Sequence, residues 1–216
     1  MAAMDEELMK LYRSDEEEPE EEEEEEEGDG EETAPRKHLS DRLLEYRTIL
    51  MHEAISSELA EDITAKLLVL DADNSEAPVD IYINSPGGSV DAGFAIYDMI
   101  RFITAPVRCV CTGLTASAAV IVLLAAPKKN RLSLPNARIL IHQPSGGASG
   151  SVADIQIEAT EILKIRQRIN ALIAEETGQP FEKVEQDTRR NYWLGAEESQ
   201  KYGLISRVIT TRKELS

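Results

Sequence analysis

Basic residues are almost absent from the first 35 positions of this 216-residue chain. Eighteen Asp and Glu stand there against Lys10 and Arg13, a local charge of −16 out of −18 for the whole chain. The remainder is nearly neutral, so the acidity belongs to one segment. The run EEEPEEEEEEEEGDG has no apolar side chain to bury and repels itself, which predicts a disordered acidic tail over 1–35. Two roles fit it: plain solvation, or docking to a basic surface with Leu8, Met9, Leu11 and Tyr12 as a short apolar anchor. Its sign disfavours nucleic acid. The chain's start also lacks the basic and apolar regions of a secretory leader and the arginine-rich, acid-poor character of a transit peptide, so a cytoplasmic location is expected. Long apolar runs are missing too. The run 116–126 falls short of the roughly 18 residues a membrane helix needs, which gives an expectation of no membrane partner.

Cysteine is scarce, with only Cys109 and Cys111. Two apart on a predicted strand, they share a face but are badly placed for a disulfide, and no histidine is near enough to suggest a metal site. They read as packing residues, and no metal or cofactor is expected.

The 42% hydrophobic content suits one globular domain over 36–216 beside the tail. Its pattern alternates. A short helix or connector is predicted over 40–46, a strand over 47–51, a helix over 56–71 and a strand over 79–83. The last is stopped by Asn84-Ser85-Pro86-Gly87-Gly88. Ser89 reads as the N-cap of a helix running to Ile103. A strand over 107–111, a turn containing Gly113, a small-residue helix over 117–126 and a strand over 138–141 follow. Strand-loop-helix repetition of this kind implies an α/β fold with crossover connections. Glycines 146, 147 and 150 lead into the longest helical segment, 151–177, with Ile155, Ile162, Ile165, Ile169, Leu172 and Ile173 spaced along it. At about 1.5 Å per residue it would be about 40 Å long, more than the core requires, so packing inside the domain and contact with another copy are both open.

Three features carry candidate chemistry. Ser117 sits where a strand meets a helix, a place for a cap, a packing residue or a nucleophile beside free helix N–H groups. His142 ends the apolar strand RILI, where a histidine is either a satisfied structural group or the base of a Ser–His pair. Gly87 and Gly88 end another strand, as a tight turn or as backbone that approaches a substrate closely. All three lie at strand ends, where α/β sheets gather their sites.

Four stretches in order, YINSPGGSVDAGFAIYD, GLTASAA, LPNARILIHQPSGG and LGAEESQKYGLISRVI, resemble the proteolytic subunit of the Clp protease, the ClpP-type serine peptidases, over about residues 42–210. The resemblance implies a crotonase-like α/β ClpP fold with a head domain and a protruding handle, here about 143–177. It also implies two stacked heptameric rings, homomeric or mixed, unfolded protein substrates, and an AAA+ Clp ATPase partner that spends the ATP. Position by position, Ser117 matches the nucleophile, His142 the general base, and Gly88 and Ala118 the oxyanion-hole donors.

This sequence departs from the family pattern at three places. Where the family reads Asp-Thr-x-Arg-Asp, the chain reads Asp187-Thr188-Arg189-Arg190-Asn191, so Asn191 matches the catalytic aspartate, with Asp187 the alternative. Arg189 stands where the family commonly has an acid that takes part in pairing across the rings. No segment supplying the usual axial loops is recognisable before the domain. These departures lead to an attenuated endopeptidase, with a structural subunit of a mixed ring as the competing reading. Acyl-CoA chemistry on the same fold ranks behind both, because it relies on glutamates where this chain has Ser117 and His142.

Overall fold

The computed structural model describes residues 39–147 and 149–215. The expectations for the segment 1–35 fall outside them. The chain divides into Met1–Arg36 and Lys37–Ser216, and the second unit is described here.

It begins with α1 (Leu39–Glu45), β1 (Thr48–Met51) and α2 (Ser57–Asp73). Ser56 caps α2, its side chain accepting from the Leu59 N–H, and Ile63, Leu67 and Leu70 are buried beneath. β2 (Val79–Ser85) leads through the glycine loop to α3 (Val90–Phe102), whose N-cap is Ser89 as the sequence predicts. β3 (Val107–Ala116) and α4 (Ala118–Ala125) follow, then β4 (Arg131–Ser133) and β5 (Arg138–Ile141). After a glycine-rich passage come α5 (Val152–Thr177), α6 (Phe181–Asp187), β6 (Tyr192–Gly195), α7 (Ala196–Tyr202) and β7 (Arg207–Val208).

Among the described residues seven strands form one sheet in the order β1-β2-β3-β4-β7, with β5 paired to β3 and β6 to β5. All pairs are parallel except β5–β6. Parallel strands with helical crossovers are covered by helices, so Val79, Ile81 and Ile83 of β2 and Val107, Cys109, Val110 and Cys111 of β3 are all buried. Cys109 and Cys111 are fully buried there as free thiols, and burial pushes the Cys111 thiol up to about 12, which leaves it unreactive.

One sequence expectation needs correcting. The predicted turn at Gly113 is a bulge inside β3, which runs on to Ala116. β3 pairs with β4 through Cys109–Cys111 and with β5 through Leu114–Ala116. At the change of partner Gly113 adopts φ 66°, and the Asn84 side chain accepts the Leu114 N–H at 2.9 Å. A side-chain amide there replaces a missing ladder bond, so the strand continues where glycine suggested a stop.

α5 opens with a capping box: Ser151 accepts from the Asp154 N–H while Asp154 accepts from the Ser151 N–H. Only its C-terminal half is buried, at Ile169, Asn170, Ile173 and Thr177. The N-terminal half leaves Val152, Ile155, Ile157 and Leu163 exposed. No described helix is long and apolar enough to cross a membrane.

Candidate active site

β3 ends at Ala116 and α4 begins at Ala118, so Ser117 makes the whole corner, with φ 56° and ψ −123°. That backbone suits glycine and strains a residue that has a Cβ. It is held in place: the Ser117 N–H donates to the Leu140 carbonyl at 2.9 Å, and the Ser117 carbonyl accepts from the Val120 N–H at 2.9 Å. The Ser117 hydroxyl makes no capping bond. The commonest structural reason for serine at a helix start is therefore not the reason here. A strained serine on a strand-to-helix corner is the geometry that thrusts a nucleophilic oxygen out of an α/β sheet.

The glycine loop after β2 presses against this corner. A Cβ on Gly87, whose φ is 91°, would stand 2.6 Å from the Ala116 carbonyl and 2.7 Å from the Ser117 Cβ. Gly88 is locked to the segment before α2: the Ile55 N–H donates to the Gly87 carbonyl and the Ser89 N–H to the Ile55 carbonyl, each at 2.8 Å. The Gly88 N–H takes no part in that bridge, and the Ala118 N–H, at the first residue of α4, has no partner within its helix.

His142 follows β5 directly and is half-buried, with a buried Nε2 that has no hydrogen-bond partner. Ser117 and His142 line one narrow cavity whose other walls include Val90, Val120, Ile121, Ile141 and Ile169. Across the antiparallel β5–β6 ladder Ile141 faces Tyr192, and the next residues outward are His142 and Asn191. They line a second, open groove together with Gln143, Arg189 and Arg190. No hydrogen bond joins the side chains of Ser117, His142 and Asn191 in the single chain.

The two candidates for the third position differ in what they touch. Asp187 is engaged elsewhere: its carboxylate accepts from Lys183 Nζ at 2.6 Å and from the Tyr202 hydroxyl at 2.8 Å. Burial, then that bond, raises the Tyr202 phenol above its ordinary range. Asn191 shares the groove with His142 instead. Sequence reasoning missed Gln143 and the buried pair Asn170 and Thr188 that brace this region. The one signal was a polar asparagine amid the isoleucines of the long helix.

The chain was compared with known proteins. The sequence profile of the Clp protease family matches residues 31–212. ATP-dependent Clp protease proteolytic subunit 2 of Treponema denticola is 50% identical over 177 residues, covering 82% of this chain and 88% of that one. The subunit 2 of Gluconobacter oxydans is 46% identical over 184 residues, covering 84% and 82%. Among solved structures, a ClpP1 of Listeria monocytogenes carrying an asparagine-to-aspartate substitution superposes with a TM-score of 0.77 at 46% identity, covering 83% of this chain and 100% of that one. With the sheet, the corner serine and these matches in hand, the chain belongs to the Clp protease family of serine peptidases, as one of its ClpP proteolytic subunits.

Proposed function

We propose that this chain is the proteolytic subunit of an ATP-dependent Clp-type serine endopeptidase, attenuated because Asn191 replaces the triad aspartate. The observation that carries this is the strained Ser117 flanked by the unengaged amides of Gly88 and Ala118 and sharing a cavity with the unpartnered Nε2 of His142. His142 takes the Ser117 proton as the oxygen attacks the scissile carbonyl. The Gly88 and Ala118 N–H groups hold the negative oxygen that results. His142 then protonates the leaving amine, and water repeats the cycle on the acyl-enzyme. The aliphatic walls of the cavity favour an apolar side chain next to the cleaved bond.

In the reacting geometry the Asn191 amide oxygen would accept a hydrogen bond from the imidazole, but it would supply no charge to stabilise the imidazolium. In trypsin-type enzymes the same exchange lowers turnover about 10⁴-fold. The chain works without a cofactor of its own, in a cytoplasmic chamber of two stacked heptameric rings, on unfolded proteins fed by an AAA+ Clp ATPase.

A second reading is a structural subunit of a mixed ring with an active paralogue. It is favoured by the absence of any hydrogen bond among Ser117, His142 and Asn191. Labelling with a fluorophosphonate separates the two. The enzyme reading expects an adduct at Ser117, and Asn191→Asp should raise cleavage of a fluorogenic peptide between tenfold and about 10⁴-fold. No adduct in any assembly, alone or in mixed rings, would sink it. The structural reading expects Ser117→Ala to leave cleavage by mixed rings unchanged.

A further inference from the structure

Between β5 and α5 the described residues, among them His142, Gln143, Pro144, Gly146, Gly147 and Gly150, form no helix or strand. Proline has no N–H to offer, and glycines leave the backbone loose. Among the described residues of 143–150, Gln143 alone makes hydrogen bonds. It makes two, both to the segment that carries Asn191. Its backbone N–H donates to the Thr188 carbonyl at 2.6 Å, and its side-chain Nε2 donates to the Arg189 carbonyl at 3.0 Å.

The acceptor side is rigid. Thr188 is fully buried, and its hydroxyl stands 2.9 Å from Asn170 Oδ1 on α5 and 2.9 Å from the Val184 carbonyl on α6. Asn170 is itself 1% exposed. Thr188 held in this way is a firm anchor, and the exposed Arg189, whose carbonyl takes the side-chain bond of Gln143, follows it directly.

We infer that Gln143 is a positioning residue: its two bonds to the Thr188 and Arg189 carbonyls set how His142 faces Asn191. This rests on the reading of His142 as base and Asn191 as its partner. Without the side-chain bond the residues after Ile141 keep one attachment in place of two, and His142 loses its alignment before any other part of the site is touched.

The test is a double-mutant cycle in the full chain in its assembled form. Asn191→Asp is measured with Gln143 intact and with Gln143→Leu. Gln143→Glu, which keeps the shape and removes the N–H donor, is run beside it in case the leucine variant fails to assemble. The gain in kcat from Asn191→Asp is expected to shrink at least tenfold in either Gln143 background, with KM changed less than twofold. A full Asn191→Asp gain in a Gln143 variant that assembles normally would overturn the inference.

If Asn191→Asp gives no gain even with Gln143 intact, it is the third-position reading that fails. The rate of fluorophosphonate labelling at Ser117 then decides for Gln143. A tenfold or greater fall in Gln143→Leu supports its positioning of His142, and an unchanged rate overturns it.

Discussion

At the scale of single residues, Ser117 shows how much a sequence conceals even when it names the right side chain. The order of the SPGG, TAS and IHQP motifs made it a candidate, and its place between a strand and a helix was legible from hydrophobic pattern. The φ of 56° was not, because nothing in a serine codes for a left-handed backbone. That conformation is imposed by the bonds to Leu140 and Val120 and by the close approach of Gly87. Strain of this kind costs on the order of 1–3 kcal/mol. Ser117→Gly and Ser117→Ala both remove the hydroxyl, but only glycine relieves the backbone. In urea denaturation at one protomer concentration the glycine variant should be more stable than the alanine variant by about 1 kcal/mol. Equal stabilities would show that the corner stores no strain. Asn191 is the converse case. The resemblance assigned it a role, but its nearness to His142 comes from the β5–β6 pairing, and the sequence reading did not find β6.

At the scale of elements, the long helices and the four-residue strands β1 and β5 were legible, and β4, β6 and β7 were not. These three have three, four and two residues, and none holds three consecutive aliphatic side chains as β1 and β5 do. What fixes β4 is the fully buried Arg131 at its start. Arg131 Nε donates to the Ala126 carbonyl at 2.7 Å, and its other nitrogens reach the Leu124 and Glu176 carbonyls and the Glu176 carboxylate. One guanidinium thus closes the C-terminal ends of α4 and α5 together, where partial negative charge gathers. Glu176 is shared with the more exposed Arg101. The two arginines should therefore differ sharply. Arg131→Met leaves the two helix ends and a mostly buried carboxylate without their main donor, and should cost about 3–5 kcal/mol in denaturant. Arg101→Met removes a half-exposed second donor to that carboxylate and to the Tyr97 hydroxyl, and should cost about 0–1 kcal/mol. Similar losses for the two would mean that burial of Arg131 carries no special weight.

At the scale of the whole molecule, α5 decides how far one chain is self-sufficient. Ile155, Ile162, Ile165, Ile169 and Ile173 recur on one side of the helix, as the sequence spacing predicts. The single chain buries only part of that stripe. Ile169 and Ile173 lie in the core, Ile162 and Ile165 are half-covered, and Ile155 remains 44% exposed. An apolar stripe that continues past the edge of its own domain is made for a second surface, and a subunit of an oligomeric family supplies one from its own kind. A carboxylate set into such a contact must be stripped of water with no partner there to compensate it. Ile155→Glu should therefore lower the mass of the assembled protein in light scattering to that of a smaller species, whereas Ile155→Leu should keep the full mass. The thermal midpoint of the protomer should hardly change, because position 155 lies outside the buried half of α5. An Ile155→Glu protein of undiminished mass would place the covering surface elsewhere on the helix and leave Val152 and Leu163 as the next residues to change.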